Sequence, residues 1–369
     1  MREDINNKTI KYLVFMAFAV ALFSILCMLT VWYVDPFFHY HKPLEGFPYI
    51  VDNQLTQNPG MAMHMDYDSV ILGSSMTVNF NTDRFREELG RNTLKLSYSS
   101  AYPKDIANIL DKVYAPYDDG TMKDIKEVFL GVDVITYSGD TDETKYPIPK
   151  HLYDKNVIND VKYLLNKDVL LDYILRPLVS GEGTDLARVY SSWWTDEYYN
   201  EDWVLRNHDG IYEKNPVKMG DHDFDEGIKK NLEVNITPYI EAHPETEFTV
   251  FFPPYSILFW NDVIMDNHLE ATLNSYRCVY NELSGYENVR MFFFPAMTDT
   301  VSDLNNYADY THYHPSVNEY MLKCFSTGEY LIDPSKEGMS IEDYIEKVQT
   351  MIDGYDFERI RSILDSYRN

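Results

Sequence analysis

Two short stretches of this chain hold residue types that can make an activated nucleophile. The first is Gly73-Ser74-Ser75-Met76-Thr77 and the second is Asp309-Tyr310-Thr311-His312. A serine hydroxyl attacks a carbonyl when a base takes its proton, and the base needs an acceptor that orients it. Ser75 can supply the hydroxyl. His312 can supply the base, and Asp309, three residues earlier on one short turn, can orient it. His314 is a rival base; His312 is preferred for its spacing from Asp309. Each stretch also has an ordinary reading, Gly-Ser-Ser as plain loop and Asp-x-x-His as a helix start beside a surface histidine. Neither a CxxC pair nor a close Cys/His cluster occurs, and His39 and His41 lack a third ligand nearby, so no metal site is expected.

The elements that must position these residues read as an α/β fold. Five apolar runs predict buried strands, at 69–73, 94–97, 128–132, 248–252 and 289–294. Helical stretches are expected at 82–89, 103–114, 224–242, 267–283 and 315–325, and a capping box at Ser340-Ile341-Glu342-Asp343 opens a terminal helical pair. Strands alternating with helices imply a three-layer α/β/α arrangement around a five-stranded parallel sheet. Ligands of such sheets bind beyond the carboxyl ends of the strands, where Ser75 would stand. At the start of the following helix, its N–H would favour a developing oxyanion. Residues 136–223 are too long for a structureless connection and are rich in Tyr, Asp and Trp. They are expected to form a partly helical insertion that shapes an acceptor site, with Trp193 and Trp194 as stacking surfaces for sugar rings.

Residues 12–34 form an apolar run without a charge, long enough to cross the ~30 Å hydrocarbon layer. A cleaved signal peptide is the rival, but its apolar region is shorter and ends in small residues, whereas Val31-Trp32-Tyr33-Val34 closes this one. Arg2, Lys8 and Lys11 precede the run and only Lys42 lies close behind it. The positive-inside bias then puts 1–11 in the cytoplasm and 35–369 outside, with 35–334 as the main domain and 335–369 as a helical tail. The net charge of −27 disfavours nucleic acid as a partner.

Together, Gly-x-Ser after the first strand and Asp-x-x-His near the end of the sheet resemble the SGNH (GDSL-like) hydrolase superfamily, with its flavodoxin-like sheet. The closer resemblance is to membrane-anchored members of bacterial cell envelopes, proteins similar to DltD and exopolysaccharide acetylation proteins. It rests on Val34-Asp35-Pro36-Phe37-Phe38-His39-Tyr40-His41, Tyr67 to Ser75, and Phe252-Pro253-Pro254-Tyr255-Ser256. The resemblance implies Ser75 as nucleophile, His312 as base and Asp309 as its orienting carboxylate. Ser100 stands where an oxyanion-hole glycine is expected, and Asp133 where an asparagine is usual. The implied activity is that of a membrane-anchored serine esterase or O-acyltransferase acting on an envelope polysaccharide or teichoic acid, without a cofactor. The alternative is a non-catalytic scaffold on the same fold, partnering a membrane acyltransferase or export complex.

Overall fold

The computed structural model describes residues 2–117, 120–192, 194–211 and 213–368. They form two compact units, Met1–Met65 with Ile148–Asp185, and Asp66–Pro147 with Leu186–Asn369. The long stretch 136–223 therefore contributes to both.

The second unit is built on a five-stranded, all-parallel sheet of order β2-β1-β3-β4-β5: β1 Ser69–Leu72, β2 Thr93–Lys95, β3 Glu127–Gly131, β4 Glu247–Phe252 and β5 Val289–Phe293. The expected fold class is the observed one. The two faces of the sheet are separated by strand alternation. Phe251 of β4 meets Phe80 and Phe325, while Phe252 beside it meets Tyr276. On the Phe251 side the helices Thr82–Leu89 and Pro315–Thr327 pack together; on the other, Asp225–Asn235 packs with Pro103–Val113 and Leu269–Leu283.

Several boundaries differ from the sequence expectation. The stretch 224–242 is two helices, Asp225–Asn235 and Thr237–Ala242. Pro238 has no N–H to continue the first helix and sits in the opening turn of the second, where none is needed. A helix at Ile257–Met265 was not expected, because ILFWNDVIM is apolar nearly all round and lacks amphipathic period. Its N-cap is Ser256, whose side chain accepts from Leu258 N–H. Ser340 and Asp343 do form a capping box, opening Ile341–Gly354.

The first unit begins with the helix Arg2–Val34, of which Asn7–Val34 is long and apolar enough to cross a membrane. Asp35 ends it. Its buried carboxylate accepts the backbone N–H groups of His39 at 3.0 Å, Tyr40 at 2.7 Å and His41 at 3.1 Å, and the Tyr163 hydroxyl at 2.9 Å. The last helical carbonyls gain partners from the same turn: Tyr49 hydroxyl donates to Val34 O at 2.7 Å, and His41 Nε2 lies 3.2 Å from Trp32 O. The helix Gln54–His64 passes this turn so closely that a Cβ at Gly60 would collide with the carbonyls of Phe37 and Phe38.

Candidate functional site

The chain turns sharply after β1. Gly73 has a φ of 143°, and a Cβ there would lie 2.8 Å from the Thr77 methyl and 3.1 Å from Gly131 O, so only glycine fits without displacement. Ser74 then caps a short 3-10 turn, Ser75–Thr77, by accepting Met76 N–H. Thr77 locks the turn to β2's exit, its hydroxyl lying 2.8 Å from Ser74 O and 2.6 Å from Ser97 Oγ. Ser75 is left half-buried, with its amide in the first turn, where N–H groups have no partner within the turn itself.

The second stretch is an equally fixed loop. An antiparallel bridge between Tyr307 and Tyr313 closes it, and Ala308 N–H donates to His312 O at 2.9 Å. The two bridging tyrosines attach it to its surroundings: Tyr307 hydroxyl donates to Pro254 O at 2.7 Å, after β4, and Tyr313 hydroxyl donates to Met76 O at 2.9 Å, in the serine turn. Ser256 hydroxyl adds a third tie, to Tyr310 O at 2.7 Å. Buried tyrosines with satisfied hydroxyls thus set the distance between the two stretches.

Across that distance the side chains align. Ser75 Oγ lies 2.7 Å from His312 Nε2, and His312 Nδ1 lies 2.6 Å from Asp309 Oδ2. Asp309 Oδ1 accepts the N–H groups of His312 at 2.7 Å and Thr311 at 2.8 Å. Burial pushes the Asp309 carboxyl up, but the imidazole and the two N–H groups outweigh it and hold the pKa below the usual carboxylate range. An ionised acceptor on Nδ1 keeps the Nδ1 proton in place and leaves Nε2 free to accept. His314 does not compete for the serine. Its Nδ1 accepts Ser316 N–H, capping the helix Pro315–Thr327, and its Nε2 lies 3.3 Å from Asp196.

Asp133 follows β3 and is buried. Tyr255 donates its hydroxyl to Asp133 Oδ1, and Ser74 and His312 lie close enough to act on its charge. Burial raises its pKa to about 6, although the Ser74 hydrogen bond and the His312 ring pull the other way. Ser100 lies in the loop after β2, the neighbour of β1, and is exposed with a φ of 56°, a left-handed conformation that glycine adopts freely. Trp194 packs against the imidazole, its ring centroid 5.0 Å from that of His312. Trp193 lies outside the described residues. Sequence reasoning gave no role to Ser74, Tyr255, Tyr307 or Tyr313. Tyr255 sat inside the Pro-Pro-Tyr-Ser stretch, the one available signal; the others act through hydroxyl reach, which spacing along the chain does not encode.

Neither a family model nor a curated protein matches the chain. Among solved structures it is similar to a protein from Streptococcus pneumonia provisionally named a platelet activating factor, at 12% identity over 75% of this chain and 90% of that one, with a TM-score of 0.39.

Proposed function

We propose that the chain is a membrane-anchored serine esterase or O-acyltransferase of SGNH type that acts outside the cytoplasmic membrane on an acylated envelope polymer. The observation that carries this reading is the unbroken line from Ser75 Oγ through His312 to Asp309, at 2.7 and 2.6 Å, beyond the carboxyl ends of a parallel sheet. Ser75 attacks the acyl carbonyl while His312 Nε2 takes its proton, and Asp309 stabilises the imidazolium. The tetrahedral oxyanion faces the N–H groups of Ser75 and Ser100. His312 returns the proton to the departing alcohol, leaving an acyl ester on Ser75. Water or a sugar or polyol hydroxyl then adds to that ester, giving its proton to His312. Collapse returns this proton to Ser75 Oγ and frees the acid or the new ester. The steps use no cofactor. The helix Asn7–Val34 anchors the protein through its apolar run 12–34, and Arg2, Lys8 and Lys11 before that run set the orientation.

A non-catalytic scaffold beside a membrane acyltransferase is the second reading. It is favoured by Asp133, a carboxylate where an oxyanion donor is usual. Labelling of the purified full chain with a fluorophosphonate separates the two. A catalytic site is modified at Ser75, and the label disappears in Ser75→Ala and in His312→Ala. Absence of label on the unaltered protein would establish the scaffold.

A further inference from the structure

The first unit carries an apolar surface that the catalytic reading leaves unused. Residues 157–180 run through short helical pieces, Val161–Leu164, Lys167–Leu170, a π-helical turn Leu171–Leu175 and Arg176–Ser180. Their inward face is closed by Tyr163, Val169 and Ile174, each no more than 2% exposed. Their outward face mixes apolar and charged residues: Ile158, Leu171, Leu178 and Val179 are 82, 51, 56 and 87% exposed, with Lys162, Lys167, Asp168, Asp172 and Arg176 exposed among them. Apolar exposure of this extent on a water-soluble surface is costly and calls for a cover.

The position of the segment identifies the cover. Val161–Leu164 and Lys167–Leu170 pack beside the helix Arg2–Val34. A cavity of about 310 Å³ between them is lined by Phe23, Ser24 and Cys27 of that helix and by Leu164, Leu165, Asn166, Lys167 and Leu170. Val31, in the last turn, is fully buried in protein, and Trp32 and Tyr33 beside it are 49 and 63% exposed, as interfacial anchors are. Cys27 and Phe23 lie four and eight residues before Val31, ~6 and ~12 Å deeper along the axis. The leucines beside them therefore sit ~6–12 Å below the level of Val31, alongside the outer half of the apolar run 12–34. The charges agree. Residues 155–179 hold four basic and three acidic side chains, against −27 for the whole chain. Lys162, Lys167 and Arg176 are exposed among the apolar residues, where their stems can lie on apolar surface and their heads reach anionic lipid. Interleaved charges rule out a second span and fit an element lying in the plane of the interface.

We propose that residues 157–179 are an interfacial membrane element, with Ile158, Leu171, Leu175, Leu178 and Val179 seated among the acyl chains of the leaflet that receives the carboxyl end of the helix Asn7–Val34. This rests on the reading of that helix as a membrane span. The first unit is then fixed to the bilayer along two elements and not by one flexible post.

The test uses the full, unaltered chain in vesicles of equal parts phosphatidylcholine and phosphatidylglycerol containing a lipid with an acyl-chain diazirine. Photolysis and peptide mapping should place lipid adducts on two regions, 12–30 and 157–179, and none around Val217, which is exposed and apolar in the other unit. Adducts on neither region would remove the anchor itself. Adducts on 12–30 alone would overturn the interfacial element and leave the anchor standing, as would capture of 157–179 by a second copy or another protein in place of lipid. Leu171→Gln with Leu175→Gln and Val179→Gln changes only exposed side chains and should reduce the adducts on that segment to background while those on 12–30 persist.

Discussion

In two tight turns of the chain an aspartate stands a few residues before a histidine, and the two turns do opposite things. In the membrane-proximal turn Asp35 precedes His39 and His41; in the site turn Asp309 precedes His312. Both carboxylates gather backbone N–H groups of the residues that follow. The difference lies in the rings. His39 turns away to Asp160 at 3.6 Å, and His41 turns to the carbonyls of Lys42 and Trp32. Both Asp35 oxygens are occupied by main chain and by the Tyr163 hydroxyl. Asp309 keeps one oxygen for the ring of His312, whose other nitrogen meets a serine. A carboxylate bound wholly by fixed donors holds shape. One that spends an oxygen on a titratable ring can also respond to a moving proton.

The sharpest way to break this contrast is to remove the rings. His312→Ala and Ser75→Ala should each lower kcat/KM on p-nitrophenyl acetate by ~10³-fold or more, the scale for groups that act as a unit. His39→Ala and His314→Ala should stay close to the unaltered protein. A comparable loss in His314→Ala would put the base on the wrong turn. Exchanging the carboxylates comes next. Asp309→Asn should lower kcat less than His312→Ala or Ser75→Ala does, through the loss of the imidazolium's partner, with the melting temperature nearly unchanged. Asp35→Asn should show the reverse, unchanged kcat and a stability loss of ~1–3 kcal/mol by denaturant titration, because a buried donor then faces other donors. Equal effects of both substitutions on kcat would erase the distinction.

The parallel sheet was legible because buried strands are short unbroken apolar runs, and SVIL and FTVFF have no other comfortable state. Gly73 and Ser75 were legible because a strand exit needs a residue free of Cβ. The helix Ile257–Met265 was not, since a helix buried all round has no amphipathic period to read. Nor was the split of 136–223: Tyr146-Pro147-Ile148-Pro149 and Ser180-Gly181-Glu182-Gly183-Thr184-Asp185 stand where the chain passes between units, but such stretches equally mark ordinary surface loops. In the site, Asp309 and His312 are local to one turn, and their spacing made them candidates beside the plain reading of a helix start and a surface histidine. What brings that turn to Ser75 is a set of tyrosine hydroxyls bonding to carbonyls across as many as 237 residues of sequence, and any of the chain's 31 tyrosines looks alike on paper.

A third carboxylate, Asp133, lies between these extremes, bound by Tyr255 and yet near His312. Burial raises its pKa from the ordinary carboxylate range to about 6. In that window the folded protein holds a proton that the unfolded chain has released, so stability falls as pH rises through it. Above it the buried charge costs up to ~3 kcal/mol. Asp133→Asn keeps an acceptor for Tyr255 and removes the charge. It should therefore stabilise the protein at about pH 8 and change little at about pH 4, as read from denaturant midpoints. A gain of equal size at both would show that the carboxyl titrates normally.

The smallest effect concerns Trp194, which faces the ring that Asp309 faces from its edge. When His312 takes the serine proton its ring becomes a cation, and an indole near it stabilises that state by ~0.5–2 kcal/mol, depending on how dry the contact is. Trp194→Ala should then lower kcat on a small ester by ~2–30-fold and leave KM in place, since the interaction grows only as charge develops. Trp194→Phe keeps a π face and should retain most of the rate. The same indole could serve instead as a platform for a sugar ring of the polymer. In that case alanine would raise KM for the acylated polymer and leave kcat on p-nitrophenyl acetate untouched. Steady-state constants for the two variants on both substrates separate a residue that favours the imidazolium from one that binds the acceptor.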